Sequence, residues 1–202
     1  MSLDIKKLSY VRIGEIANDF LNTHHTSRTA PIPIELIAEN ALDLTIAPIS
    51  RMKSDYDVEG CLDSNLSTIF IDTDIYMKNE HRSRFTVAHE IGHLVLHNKI
   101  FRDLKISKPE DIYKLTNEIT EEEYGWIEYQ AYTFAGHVLV PKTELISELN
   151  QRLPVSKERA ITFEELIPVA MELHERFCVS GEVLYRRLEK EGLINSEGYK
   201  LY

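Results

Sequence analysis

The residues His89, Glu90, Ile91, Gly92 and His93 spell H-E-x-x-H inside an otherwise apolar run that continues to His97. Burying histidine and glutamate is costly unless they are paired or metal-bound. On a helix, positions four apart share a face, so His89 and His93 point the same way. Two imidazoles at that spacing can hold one zinc ion. Glu90, beside the first, can reach the open coordination position and take a proton from water there. The chemistry expected is metal-assisted hydrolysis. A pair of core histidines with ordinary hydrogen bonds is the rival reading, and the burial cost weighs against it.

Two imidazoles leave a third ligand to be found. His97 continues the series, but it stands about 12 Å from His89 along a straight helix. One ion can bind both only if the helix bends or ends between them. The glycine turn that precedes a third histidine in the long zincin signature is missing here. His97 is therefore expected at a helix end or beside a ligand, off the ion. A better source is the segment 127–135, where Glu128, Ala131 and Ala135 share one face. A carboxylate followed by small residues suits a helix packed close to a metal. His137 is another option on that helix. The run Glu121, Glu122, Glu123 reads as a solvated helix start.

These side chains need elements to position them. Apolar spacing predicts a helix over residues 13–21 and a second opening at Pro33. Strands are expected over 43–49, 60–62 and 68–72, the last two joined by the turn Asp63, Ser64, Asn65. Residues 54–60 read as a polar turn. The apolar stretch 85–96 is long enough, and rich enough in Ala, Leu and Gly, to be helical. Residues 101–117 are charged and carry no clear period. A long helix over 121–140 is stopped by Pro141, and a short one follows over 142–150. Helices over 164–177 and 182–191 form a pair joined by Cys178, Val179, Ser180 and Gly181. The order predicts an α+β fold with an antiparallel or mixed sheet.

With 202 residues and 43% hydrophobic content, the chain suits one compact domain with at most a small appendage. We divide it into a domain at 1–145 and a C-terminal helical segment at 146–202 packed on it. A net charge of -10 argues against broad nucleic-acid binding and against an anionic membrane surface. No 18-residue apolar run exists, and the first 22 residues lack the apolar region of a signal peptide. Cys61 and Cys178 form no C-x-x-C, so they read as reduced thiols of a cytoplasmic protein. His24 and His25 read as a solvated loop pair.

The sequence resembles the ImmA/IrrE metallopeptidases over most of its length. The likeness runs through Pro33 to Asn40, Glu59-Gly60-Cys61 and Ile69-Phe70-Ile71-Asp72. It continues as R-x-R-F-T-x-A-H-E-x-G-H from Arg82 to His93, E-x-x-A-x-x-F-A from Glu128 to Ala135, and a proline at Pro141. The resemblance implies a zincin-like domain with a small sheet packed on the H-E-x-x-H helix. It implies one zinc ion held by His89, His93 and Glu128, with Glu90 as general base. It also implies site-specific cleavage of a protein substrate, a helix-turn-helix transcriptional repressor encoded nearby. Family members usually carry Asn or Asp four residues after the third ligand, and often a second acid two residues after it. Here those positions hold Tyr132 and Gln130, so a carboxylate that would orient a zinc histidine is not expected there. This departure motivates an alternative, a non-catalytic zinc-containing partner of a repressor in a toxin–antitoxin or anti-repressor role. Tyr132, Tyr129 and His137 are the candidates for stabilising an oxyanion. The tail from His174 to Leu193 looks like a helix-turn-helix with Arg186 and Arg187 on its second helix. Glu175, Glu182, Glu189 and Glu191 oppose phosphate contact, so packing or substrate docking is expected in place of DNA reading.

Overall fold

A computed structural model describes residues 5–115, 118–153 and 163–194. Helix α1 (Tyr10–His24) starts at Ser9, whose hydroxyl accepts from the Arg12 N–H at 3.2 Å. It buries Ile13, Ala17, Phe20 and Leu21, one helical face. Helix α2 (Ile34–Leu36) runs straight into a wider π-helical turn, Ile37–Ala41, where a regular helix was expected. The Leu42 N–H closes that turn on the Ile37 carbonyl at 3.1 Å.

Strands β1 (Thr45–Ile49), β2 (Gly60–Leu62) and β3 (Thr68–Asp72) form a sheet of order β1-β3-β2. β1 runs parallel to β3 and β2 antiparallel, so the sheet is mixed. β1 begins later than residue 43 because Asp43 takes a left-handed φ of 54°, which is not extended backbone. Residues 54–60, expected as a turn, overlap a short helix α3 (Met52–Tyr56). Asp72 holds it, accepting from the Lys53 N–H at 2.9 Å while also capping α4 (Thr73–Lys78).

Helix α5 (Glu80–Asp103) extends beyond the apolar stretch at both ends. The Asn79 side chain accepts from the Arg82 N–H at 3.0 Å and starts the helix inside the charged segment. His97 breaks it, with φ -126° and ψ 17°. The charged stretch that follows contains α6 (Pro109–Leu115). Helix α7 (Glu121–Leu139) opens with a capping box between Thr120 and Glu123, so Glu123 is committed to the helix start. Helices α8 (Lys142–Arg152), α9 (Phe163–Phe177) and α10 (Gly181–Lys190) complete the described chain. Over the described residues the fold is α+β, mostly helical with one small sheet. No described helix is long and apolar enough to cross a membrane.

α5 packs against the sheet and against α7, and α7 also packs against α1. Small residues set these crossings. A Cβ on Gly92 would lie 3.1 Å from both Cα and O of Ala131 on α7. That closeness allows α7 to bring a side chain to the histidines of α5. The Arg84 guanidinium, 6% exposed, ties the start of α5 to three other segments. It donates to the Ile32 carbonyl at 2.6 Å, to Glu35 at 3.1 Å and to the Cys178 carbonyl at 3.3 Å. Removing it leaves the buried Ile32 carbonyl and two partly buried acceptors unpaired, so Arg84→Ala is expected to cost about 3 kcal/mol of stability. For a chain of this size that lowers Tm by roughly 6–12 °C, readable by calorimetry. A shift under about 2 °C would mean that solvent replaces the arginine freely.

The helix pair α9 and α10 is joined through Ser180, which caps α10 by accepting from the Val183 N–H at 3.3 Å. Arg187 is 4% exposed and donates to the Val140 carbonyl at 3.1 Å, to Glu191 at 2.7 Å and to the Tyr10 hydroxyl. Arg186 pairs with Glu182 at 2.7 Å. Arg187 is thus unavailable to a phosphate backbone, which weakens a DNA-reading role for α10. Cys61 is buried, Cys178 is partly exposed, and both are free thiols.

Candidate metal centre

His89 and His93 sit on consecutive turns of α5 before the break at His97, and Glu128 reaches them from α7. The two Nε2 atoms lie 2.9 Å apart. Glu128 places one carboxylate oxygen 3.2 Å from His89 Nε2 and the other 3.4 Å from His93 Nε2. Ligand atoms bound to one zinc ion at about 2.1 Å in a tetrahedron stand roughly 3.4 Å apart. The three donor atoms therefore fit a single small divalent cation. Burial raises the proton affinity of Glu128, but His89 and His93 more than offset it and hold the carboxyl well below its usual range.

Glu90 is 3% exposed on the same turn. Burial pushes its pKa up, against the pull of His89 and His93. The Leu62 N–H of β2 donates to its carboxylate. The crossing of β2 over α5 requires glycine, since a Cβ on Gly60 would collide with the Thr86 methyl and stand 3.1 Å from a Glu90 oxygen. A buried carboxyl with raised proton affinity, held by a backbone amide beside a cation site, has the properties of a proton acceptor.

Neighbouring rings fix the imidazoles. His93 Nδ1 lies 3.2 Å from His97 Nδ1, and the Phe101 ring covers His93 at 4.7 Å between centroids. Burial and His93 push the pKa of His97 down to about 3, so it is a neutral partner for the His93 N–H. His97 is thus beside a candidate ligand and outside the group of three donors. His89 is held differently. Tyr132 packs edge-on against it at 4.5 Å, while His89 Nδ1 is buried without a hydrogen-bond partner. The carboxylate missing at position 132 is replaced by ring packing. Gln130 lies fully buried on α7 with both amide atoms unpartnered.

The other sequence candidates fall elsewhere. His137 packs under Gly14 and against Tyr10 at 4.6 Å, on the α1 side of α7. Burial and Arg187 push its pKa down to about 4. Glu122 pairs with Lys7 at 2.6 Å on the surface. His24 and His25 belong to no metal-capable group among the described residues. Sequence reasoning missed Tyr124. It precedes Glu128 by one helical turn, shares its face and lines the cavity in front of Glu90. Burial, with the carboxylates of Glu128 and Glu90, drives its phenol pKa up, so it stays a neutral donor. The i, i+4 spacing to Glu128 was the available signal. Glu59, also missed, pairs with Arg82 at 2.5 Å at the cavity rim.

The cavity measures about 190 Å³. One wall carries Glu90, Tyr124 and Tyr132, and another is apolar, with Phe101, Leu104 and Ile112. A larger groove of about 690 Å³, between α5, α7 and α10, shares Arg82, Phe85 and Tyr132 with it.

Paired imidazoles one helical turn apart, a carboxylate from a crossing helix and a buried acid beside them define the metallopeptidase class. Comparison with protein families narrows the class. The model of the IrrE N-terminal-like domain, Peptidase M78, matches residues 42–189, and the chain belongs to this ImmA/IrrE family of metallopeptidases. Comparison with curated proteins returns no match.

Proposed function

We propose that the chain is a zinc-dependent endopeptidase that cuts a helix-turn-helix transcriptional repressor encoded nearby, in the cytoplasm. The carrying observation is the convergence of His89, His93 and Glu128 with buried Glu90 in one cavity. When bound, zinc would supply Lewis acidity to a water molecule and to the scissile carbonyl. His89, His93 and Glu128 would hold it. Glu90 accepts a proton on its carboxylate, steadied by the Leu62 amide, and returns it to the leaving nitrogen. Tyr124 and Tyr132 offer neutral phenols toward charge developing on the carbonyl oxygen. The apolar wall at Phe101, Leu104 and Ile112 accepts an apolar side chain next to the scissile bond. The groove that shares Arg82, Phe85 and Tyr132 with the cavity supports an extended polypeptide as substrate. The choice of a repressor rests on the family resemblance.

The non-catalytic reading draws on one observation, the unpartnered His89 Nδ1. Incubating the zinc-loaded chain with the repressor of the neighbouring gene separates the two. Cleavage at one or a few sites is expected, stopped by chelation and restored by zinc. A stable complex that stays uncut with zinc bound would replace the peptidase reading with the binding one.

A further inference from the structure

A second cluster of metal-binding side chains lies apart from the cavity. His81 stands in the first turn of α5, and His174 and Glu175 in the last turn of α9. One donor atom from each lies within 4.8 Å of the others. His174 Nδ1 is 3.8 Å from a Glu175 carboxylate oxygen, too far for a hydrogen bond and suited to a shared ion. The rings of His81 and His174 meet edge to face, with centroids 5.8 Å apart. Two imidazoles sharing one tetrahedral ion place their ring centres roughly 5 Å apart, so a small side-chain adjustment joins them.

Two independent features point to a cation there. His174 Nδ1 is buried and lacks a hydrogen-bond partner; a buried nitrogen in that state is costly, and a metal bond would satisfy it. The cluster also sits at the C-terminal end of α9, where the aligned peptide dipoles leave partial negative charge. Glu80, accepting from the Cys178 thiol, adds a carboxylate next to His81.

We propose that His81, His174 and Glu175 form a second divalent-metal site that clamps α9 onto the start of α5. Two imidazoles and one carboxylate suit zinc and its neighbours cobalt, nickel and copper. Glu175 is 70% exposed, so water completes the coordination. The clamp acts where Arg84 already ties the Cys178 carbonyl to α5. Its donors are not those of the cavity, so the proposal stands independently of the peptidase reading.

Equilibrium dialysis of the metal-free full-length chain against zinc, with cobalt absorption as a second readout, tests it. Two equivalents are expected. His81→Ala and His174→Ala each lose one of them, weakened by about 100-fold or more, and keep the other. The double variant His89→Ala with His93→Ala keeps the equivalent that those variants lose. Filling the second site raises Tm in the unaltered chain and not in His81→Ala. Should His174→Ala fail to fold, Glu175→Gln with His81→Gln replaces it. The proposal is overturned if His81→Ala and His174→Ala bind as many equivalents as the unaltered chain, or if the double variant His89→Ala with His93→Ala binds none.

Discussion

Glu90→Gln is expected to bind zinc as tightly as the unaltered chain and to cleave its substrate about 10²–10⁴-fold more slowly. The side chain stands outside the group formed by His89, His93 and Glu128, so metal affinity does not depend on it. The amide keeps the volume of the carboxylate and can still accept from the Leu62 N–H. It cannot accept a proton from water. Because burial already disfavours the charged carboxylate, the neutral variant should fold at least as well. Metal content by dialysis and single-turnover cleavage followed by mass spectrometry read the two halves of the expectation. Cleavage at an undiminished rate would remove Glu90 from the mechanism.

Glu128→Ala should do the opposite, losing about 100-fold or more in zinc affinity, and cleavage with it. Glu128 supplies the carboxylate of the three-donor group, with one oxygen directed to each imidazole. Without it, two imidazole nitrogens 2.9 Å apart face each other with no anion between them. Titration calorimetry with zinc measures the loss. Unchanged affinity would place the third donor elsewhere, and His97, 3.2 Å from His93, would be the first to examine by substitution.

Much of this arrangement was legible in the chain because it depends on local periodicity. Strands β2 and β3 fall where β-branched residues and the Asp63 turn placed them. The four-residue spacing of His89 and His93, and the shared face of Glu128, Ala131 and Ala135, predicted which side chains the crossing of α5 and α7 brings together. His97 lies beside His93, outside the three-donor group, where its distance along the helix had placed it, although the helix breaks at that residue. Features that depend on contacts far apart in sequence were hidden. Charged residues obscured the start of α5, which a single side chain, Asn79, caps. The π-helical turn and α6 leave no apolar period to read. Tyr124 carried no signal of its own beyond its spacing to Glu128, and only the fold sets it before Glu90. His137 looked like a candidate until the fold turned it toward α1. Gly60 matters because of what crosses it, and sequence spacing carries no trace of that.

The sheet also determines how this protein can meet other chains. On β2, the Glu59 carbonyl and the Asp63 amide bond to β3, so Gly60 and Leu62 face outward. The Leu62 amide is taken by Glu90, and Thr86 with Glu90 packs on the face of the sheet at Gly60. On β1, the Thr45 amide bonds inward to the Ser67 carbonyl, so by alternation the position of Pro48, which has no N–H, faces outward. Each margin thus carries one outward position that offers no free N–H to a fourth strand. Neither an extended segment of a partner, nor a second copy, nor an aggregating chain can enlarge the sheet by backbone pairing without first dislodging Glu90 or working around a proline.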